Sequence, residues 1–410
     1  MNKIVIYLLV LSICCIEKIN SQTSNIGELT VASNTILSTI QSFDNKTTGN
    51  FVNDGTFYVY ADFNNDGLVT FSQNLTTGLT YFKGSSAAQT ISGESLSELY
   101  NVRFENNFIQ PAFLLSGDIS VFGNSDFFYG IVDNVSQPGN FLFEEKAIHK
   151  NTSNNSYVAG YVERNKNNQF EFPIGDGGFF RPSAISQSNS STNFFSSRYY
   201  LKDSNALHPH NQKDPLIQII DQPEYWSFES NQNPVDIALT LSWNEETTPD
   251  QIINGASGTQ LAIVRWDETA NKWMFYATAV DESNKIATAS IDNDGIFTLG
   301  RILSNSSNDI IVHNAISANE DGKNDYLQID GISNFPNNKL EIYNRWGVKV
   351  FSTTGYGIDN NFFYGYSDGR ATVKKSSILP DGTYFYILSY EAANAVWKEK
   401  AGYLYLTSSN

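Results

Sequence analysis

Apolar and polar residues alternate in short runs along this chain, and clusters of Asn, Asp, Gly and Ser separate the runs. Within the segment 236–243 the alternation is strict, and one side of the strand would carry Ile237, Leu239, Leu241 and Trp243. A period of two is typical of strands with one buried face. No stretch after residue 21 has the longer period of an amphipathic helix, so the pattern predicts an all-β fold.

The region 22–134 combines short strands with corners rich in Asn, Asp and Gly. Its early corners are Asn53-Asp54-Gly55, Asn65-Asp66-Gly67 and Thr77-Gly78. Strand-and-turn units that repeat in this way are typical of a short β-helix, in which each turn covers the one before it. The spacing drifts along the region, so an irregular β-sandwich fits the same pattern.

Two further regions follow. The region 135–304 contains the alternating segment and a predicted hairpin of 261–266 with 272–277. Together they predict a middle antiparallel β-sandwich. The small polar residues 305–308 predict a linker. From 309 to 410 about seven short strands are expected, a number typical of an immunoglobulin-like β-sandwich.

The chain starts with the layout of a signal peptide. A short basic start precedes the apolar run Ile4–Ile16, and Ser21-Gln22 is a suitable cleavage point, so residues 1–21 are expected to be removed. The run is shorter than the ~20 residues of a spanning helix, and no later segment approaches that length. Cys14 and Cys15 both lie inside it, so the mature chain would contain no disulfide. A lipid-modified Cys14 or Cys15 is the alternative reading.

The chain is acidic, with 26 Lys and Arg against 43 Asp and Glu, a net charge of −17. Phosphate contacts need cations, so this balance argues against a nucleic-acid partner.

Residues suited to catalysis are scarce. Four histidines are scattered along the chain, and there is no nucleophile elbow, zinc motif or phosphate loop. Asp118, Asp126 and Asp133 could hydrolyse polysaccharide on a β-helix if they converged, but turn formation also explains them. We therefore expect no catalysis. A glycan-binding module is the alternative, with stacking residues drawn from Trp226, Trp243, Trp266 and Trp273.

Calcium is the one cofactor with a candidate site. Asn319, Asp321 and Asp325 bring three oxygen-bearing side chains close in sequence, and calcium prefers such ligands. A loop in which these side chains bond their own backbone is the other interpretation. No other cofactor is expected.

Four motifs in the last hundred residues carry a family resemblance. They are the hairpin Leu340-Glu341-Ile342-Tyr343-Asn344-Arg345-Trp346-Gly347-Val348-Lys349-Val350-Phe351, the turn and strand Leu379-Pro380-Asp381-Gly382-Thr383-Tyr384-Phe385-Tyr386, the closing strand 402–406 and the opening loop 319–325. In this order they resemble the gliding-motility-associated C-terminal domain of Bacteroidota. The signature residues would be Tyr343, Asn344, Arg345, Trp346, Gly347, Pro380, Asp381, Gly382 and Tyr384.

The resemblance implies a type B sorting domain of the type IX secretion system at residues 309–410. It implies export to the cell surface or the extracellular space after signal-peptide cleavage. The implied partners are the secretion translocon and a PorP/SprF-like outer-membrane protein. The sequence as a whole therefore predicts a secreted or surface-displayed structural, adhesin-like protein with a glycan or other surface ligand.

Overall fold

The computed structural model describes residues 22–188, 190, 193–232, 235, 237–303, 310–319, 322–345, 347–367, 378–392 and 396–408. The expected signal peptide (1–21), the linker (305–308), Asp321 and Trp346 lie outside these residues. Strands dominate the part of the chain that is described, so the all-β prediction is confirmed.

The N-terminal region is a parallel β-solenoid. Its strands are β1 (Gln22–Asn25), β2 (Glu28–Val31), β3 (Ile36–Thr39), β4 (Ser42–Asn45), β5 (Asn50–Asn53), β6 (Thr56–Val59), β7 (Phe63–Asn65), β8 (Leu68–Thr70), β9 (Leu79–Gly84), β10 (Gln89–Ser92), β11 (Ser97–Leu99), β12 (Asn101–Asn106), β13 (Phe113–Leu115), β14 (Ile119–Val121), β15 (Asn124–Tyr129), β16 (Val132–Asp133), β17 (Phe141–Phe143), β18 (Ile148–Lys150), β19 (Val158–Ala159) and β20 (Val162–Asn165).

Every third strand of the solenoid joins the same sheet. Sheet A runs β1-β4-β7-β10-β13-β16-β19, sheet B begins β2-β5-β8-β11-β14-β17-β20, and sheet C contains β3-β6-β9-β12-β15-β18. All pairs within these sets are parallel, and the ladder continues to Asn165, past residue 134. The β-helix interpretation is therefore confirmed, and the irregular-sandwich alternative is wrong for this region.

Stacked phenylalanines fill the solenoid. Phe82, Phe104 and Phe127 lie on successive strands of sheet C with ring centroids 5.8 and 5.5 Å apart, and all three are fully buried. Parallel pairing without register shift places like positions above one another, so a phenylalanine on one rung covers the next. Aromatic stacking of this kind adds to the burial of apolar area.

An asparagine ladder holds one corner. The Asn25 side chain donates to Asn45 Oδ1 at 2.8 Å, and Asn45 donates to Asn65 Oδ1 at 2.9 Å. Asn65 in turn donates to Ser97 Oγ at 3.0 Å. These side chains are buried, so each hydrogen bond satisfies a polar group that water cannot reach. The ladder therefore fixes the register of neighbouring rungs.

The middle region adds β21 (Phe170–Phe172), β22 (Gly175–Asp176), β23 (Phe179–Phe180), β24 (Ser183–Ile185), β25 (Phe194–Tyr200), β26 (Ile217–Ile220), β27 (Tyr225–Ser230), β28 (Ile237–Ser242), β29 (Thr259–Asp267), β30 (Lys272–Phe275), β31 (Thr278–Asp281), β32 (Ile286–Ile291), β33 (Gly295–Leu303) and one short helix, α1 (Asp250–Ile253). Sheet B continues from β20 through β25, β27, β33, β29 and β30, now antiparallel. A second antiparallel sheet has the order β21-β24-β28-β32-β31. The expected hairpin is β29 with β30.

One hydrophobic core joins the solenoid to the middle region. It extends from Val31 through Phe141 to Leu239 of one middle sheet and Leu299 of the other. Because sheet B is shared, the last rung of the solenoid is also the first strand of the antiparallel part. The solenoid end is thus covered, which removes an open strand edge.

The C-terminal domain has β34 (Ile311–Val312), β35 (Ala315–Ser317), β36 (Ile329–Asp330), β37 (Asn338–Asn344), β38 (Lys349–Thr354), β39 (Gly382–Ala392), β40 (Val396–Thr407) and a 3₁₀ turn at Ile332–Asn334. The main sheet has the order β35-β40-β39-β37-β38, and β34 pairs with β36. A separate core that includes Leu340, Tyr356 and Leu404 fills it. The immunoglobulin-like topology stays a prediction.

The outer face of this main sheet packs on the middle region. Tyr343, Phe385 and Ile387 form a small buried cluster with Ala238 and Ala279. Strand β31, at the edge of the second middle sheet, lies against β39 and β40. The two parts therefore share an apolar contact through small alanine side chains.

Candidate functional site

The two signature segments of the C-terminal domain meet at one end of its sheet. Antiparallel pairing of β37 with β39 places Asn344 opposite Tyr384. A cleft of about 210 Å³ lies between the segments. Its walls include Asn344, Arg345, Pro380, Asp381, Gly382 and Tyr384. The structure thus brings most of the predicted signature residues together on one surface.

Asn344 and Gly347 shape the first segment into a tight hairpin. Asn344 Oδ1 accepts a hydrogen bond from Val348 N at 3.0 Å, and the Asn344 carbonyl accepts one from Gly347 N at 2.9 Å. Gly347 has φ +72°, in the left-handed region that favours glycine. This turn leaves Arg345 exposed at the mouth of the cleft.

Asp381 and Tyr384 hold the second segment. Asp381 Oδ1 accepts hydrogen bonds from Ser408 N at 2.7 Å and Ser408 Oγ at 2.6 Å, so the turn is tied to the last strand. The Tyr384 hydroxyl donates to the Pro380 carbonyl at 2.8 Å. Burial raises the pKa of Tyr384, and the Asp381 charge raises it further, so the phenol stays protonated and keeps donating.

Tyr343 lies apart from the other signature residues. Its side chain is 1% exposed and belongs to the cluster with Ala238 and Ala279, on the face that meets the middle region. Side chains alternate between the faces of a strand, so Tyr343 and Ile342 point to opposite sides. The surface available to a partner therefore consists of the cleft residues.

The loop predicted to bind calcium is closed by its own backbone in the described part. Asp325 Oδ2 accepts a hydrogen bond from Gly322 N at 2.8 Å, and Asn319 N donates to the Ser317 carbonyl. Asp325 Oδ1 is buried and has no hydrogen-bond partner among the residues that the structure describes. Across the described residues no group of three or more His, Cys, Asp or Glu side chains could hold a metal ion. Calcium at Asn319, Asp321 and Asp325 stays a prediction.

The acids considered for hydrolysis lie on three different sheets of the solenoid. Asp126 is on β15 in sheet C, Asp133 is on β16 in sheet A, and Asp118 directly precedes β14 in sheet B. Asp118 caps Asn140 N, and Asp133 caps Val135 N and Ser136 N. The three acids therefore belong to three different sheets, and hydrolysis by them stays an untested alternative.

The tryptophans considered for sugar stacking belong to the core. Trp226 and Trp273 are fully buried, Trp266 is 3% exposed and Trp243 is 6% exposed. Trp266 and Trp273 face each other across β29 and β30 at 5.9 Å between ring centroids. The aromatic rings exposed for a ligand lie elsewhere.

Sheet C of the solenoid presents an outer face of aromatic and charged side chains. Parallel register aligns Tyr58, Tyr81, Arg103 and Asp126 across β6, β9, β12 and β15. Beside it lie Tyr60, Lys83, Glu105 and Phe128. We call these eight residues, together with Lys150, the aromatic–ionic face. A register shift after Phe104 sets Glu105 opposite Tyr129 and leaves Phe128 at the bulge.

The rings of this face stack on one another and on a guanidinium. The Tyr58 ring is 6.1 Å from Tyr60 at an interplanar angle of 14°, and 4.9 Å from Tyr81. The Arg103 guanidinium lies 4.1 Å from the Phe128 ring centroid and 5.1 Å from that of Tyr81. Flat groups therefore cross four strands without a break.

Ion pairs connect the charged groups of the face. Arg103 binds Glu105 at 2.9 Å and Asp126 at 3.5 Å. Lys83 binds Glu105 at 3.2 Å, and Lys150 binds Asp126 at 3.6 Å. Burial raises the pKa of Glu105, and the Asp126 charge adds to the shift. The face therefore carries cationic hydrogen-bond donors and anionic acceptors, and the ion pairs hold them in fixed positions.

Sequence reasoning missed this face, although a signal exists. Tyr58, Tyr81, Arg103 and Asp126 are separated by 22 or 23 residues, the length of one solenoid turn here. Outward positions at that spacing stack into one row. The number of residues per solenoid turn varies along the chain, so the row could not be found before the pairing of the strands was known.

The fold and the cleft place this protein in a class of all-β proteins. A solenoid forms its N-terminal part, and a compact domain that carries the signature residues forms its C-terminal part. Residues 310–406 match the family model described as the CHU_C Type IX secretion signal domain. The predicted sorting domain is thereby confirmed, and the chain is a protein exported to the cell surface or the extracellular space through type IX secretion. No curated protein matches the chain.

No helix among the described residues is both long and apolar enough to cross a membrane.

Proposed function

We propose that this protein is an adhesive, non-catalytic protein that acts outside the cell. In this proposal the C-terminal domain directs export, and the solenoid presents the aromatic–ionic face to a surface ligand. The face is the observation that supports adhesion. Tyr60 is 43% exposed and Phe128 is 52% exposed, although each ring stacks on a neighbour and is held in place. Rigid exposed rings are what binding surfaces use.

The charges of the face favour binding over hydrolysis. A glycosidase needs two carboxyl groups that flank the scissile bond, one of them protonated. Here Glu105 binds Arg103 and Lys83, and Asp126 binds Arg103 and Lys150, so each acid is held in two ion pairs.

The cleft of the C-terminal domain is our candidate for contact with the export machinery. Arg345, Pro380 and Asp381 are exposed at its mouth, whereas Tyr384 is buried beneath them. The translocon and a PorP/SprF-like outer-membrane protein are the partners proposed for this surface. Arg345→Ala changes an exposed side chain of the cleft without touching the core, so it tests the contact directly.

Export and adhesion are tested together in cells. A strain that lacks residues 309–410 should retain the rest of the chain inside, and the Arg345→Ala strain should export less protein. Tyr403→Ala, an exposed ring on β40 at the same domain, is the matched control. Normal surface levels in the deletion strain would contradict the role in export. Unchanged attachment of cells that lack the whole protein would contradict adhesion.

The absence of catalysis has its own assay. The purified protein is incubated with neutral and acidic polysaccharides, and released reducing ends are measured. We expect none. Turnover that disappears in Glu105→Gln or Asp126→Asn would show that the face is an active site.

A further inference from the structure

We propose that the aromatic–ionic face binds a neutral, extended polysaccharide that lies across the strands of sheet C, along the solenoid axis. This inference rests on the proposed adhesive function and names its ligand class. Three features of the face lead to it: the shape of the cleft, the direction of the stacked rings and the balance of charge.

The shape is that of an open cleft. A depression of about 520 Å³ runs between Tyr60 and Phe128, with Lys83 and Glu105 in its wall. This volume falls within the range of ~300–1,000 Å³ found for small-ligand sites, which combine aromatic walls with a few placed polar groups. Tyr60 lies directly after β6 and Phe128 lies on β15, so the cleft spans four neighbouring strands of sheet C.

The exposed rings at the two ends of the cleft, Tyr60 and Phe128, come from different strands of sheet C, so the line between them follows the solenoid axis. Neighbouring strands are ~4.8 Å apart, so four strands present stacking groups over roughly 14 Å. A pyranose has one apolar face of C–H groups and an equatorial rim of hydroxyls. Successive sugars of an extended chain would place those faces on Tyr60 at one end and on the Arg103–Phe128 stack at the other. The register of the parallel strands sets this repeat.

The charge balance selects a neutral chain. The three cations of the face, Lys83, Arg103 and Lys150, are all paired with Glu105 or Asp126 at 2.9–3.6 Å. Their remaining N–H groups can donate to sugar hydroxyls, and the remaining carboxylate lone pairs can accept from them. A polyanion would gain little from cations that are already paired. It would also be repelled by a chain whose net charge is −17.

The test uses the full mature chain and affinity electrophoresis in gels that contain one polysaccharide each. The neutral probes are hydroxyethylcellulose, laminarin, arabinoxylan and dextran, and the anionic probes are alginate and polygalacturonate. We expect retardation by at least one neutral probe, with affinity that changes little between 50 and 500 mM salt. The double variant Tyr60→Ala/Phe128→Ala should bind at least about tenfold more weakly, because it removes the exposed rings at the two ends of the cleft. A tenfold change corresponds to ~1.4 kcal/mol.

The matched control is Tyr403→Ala/Tyr405→Ala, which removes two rings that are 50% and 52% exposed on the C-terminal domain. It should bind as the wild type does. Circular dichroism and thermal melting confirm that both double variants are folded.

Four outcomes would overturn the inference. Retardation by the anionic probes alone, weakening steeply with salt, would assign a polyanion site. Neutral binding that the Tyr60/Phe128 variant leaves intact would place the site elsewhere. Absence of binding to every probe, with cell attachment that still depends on Tyr60 and Phe128, would leave adhesion standing and remove polysaccharide as the ligand. If no probe binds and cell attachment does not depend on Tyr60 and Phe128 either, the proposed function is removed as well.

Discussion

Arg181 and Glu224 form a salt bridge of 2.9 Å inside the middle region, with side chains 1% and 0% exposed. The Arg181 guanidinium also donates to Thr247 Oγ1 at 2.9 Å and to the Ser242 carbonyl at 2.7 Å. Glu224 Oε2 accepts a hydrogen bond from the Tyr199 hydroxyl at 2.6 Å. The pair therefore joins distant strands of both middle sheets through a network that excludes water.

Removing the cation of this pair should destabilise the protein strongly. Arg181→Met leaves Glu224 charged and buried, and we expect the free energy of unfolding to fall by ~3–5 kcal/mol. Chemical denaturation measures the loss. The control is Lys285→Met, which breaks the exposed pair with Glu245 and should change stability by under ~1 kcal/mol. Equal effects of the two substitutions would contradict the role of burial.

Asp221 should make stability depend on pH. Burial raises the pKa of this fully buried carboxyl, and the neighbouring Glu224 raises it further, so the folded protein binds its proton more tightly than the unfolded chain does. The stabilising contribution is complete at low pH and is lost as pH rises above the ordinary value of 3.8 and through the raised pKa.

Asp221→Asn removes this titration. Its stability relative to the wild type should therefore increase with pH between about 5 and 8, as measured by urea unfolding at several pH values. The exposed Asp250→Asn serves as the control. A stability difference between Asp221→Asn and the wild type that is constant over this range would refute the assignment.

Gly55 should tolerate no side chain, because the preceding rung is too close. A Cβ at this position would lie 2.5 Å from the Ala32 carbonyl oxygen and 2.6 Å from that of Thr35. Both contacts are with backbone, which cannot move without opening the ladder. We expect Gly55→Ala to lower the free energy of unfolding by ~1–3 kcal/mol. The control is Gly27→Ala, where a Cβ meets nothing within 4 Å, and it should leave the free energy of unfolding almost unchanged. Thermal melting of both variants measures the difference.

The contact between the middle region and the C-terminal domain should couple their unfolding. Ala279 faces Phe385 and Ile387 in this contact, whereas the C-terminal domain fills its own interior with a separate core. Ala279→Arg places a long charged side chain there and should split one calorimetric transition into two. Ala270→Arg, in an exposed turn, should retain the single transition. A single transition in the Ala279 variant would show that the two parts remain coupled without this contact.

The sequence by itself determined the strand content, the export signal and the ends of several elements. The strict alternation at 237–243 determined which side of β28 faces the main core, because a strand has only two faces. It did not show that Ala238 on the other side is buried by the C-terminal domain. The motifs at 340–351 and 379–386 identify the C-terminal domain because their turns need particular residues, such as Gly347. These properties depend on residues that are close in sequence, so they can be predicted from the sequence alone.

The corners of the solenoid show where such reasoning ends. Asn65-Asp66-Gly67 has the composition of a hairpin turn, yet it connects β7 to β8 in two different parallel sheets. What distinguishes the two is the partner of Asn65, which is Asn45 on the rung below. No property of the corner itself specifies a hydrogen bond to a residue twenty positions earlier.

The aromatic–ionic face was decided by tertiary structure alone. Tyr58, Arg103 and Asp126 are ordinary outward residues of separate strands, and nothing near any of them in sequence marks a site. Parallel stacking places them in one row, since each turn of the solenoid adds one strand above the last. Trp266 and Trp273 show the reverse: large rings that suggest a ligand surface are buried because β29 and β30 pair through them. Burial depends on what covers a residue, and the covering strands come from elsewhere in the chain.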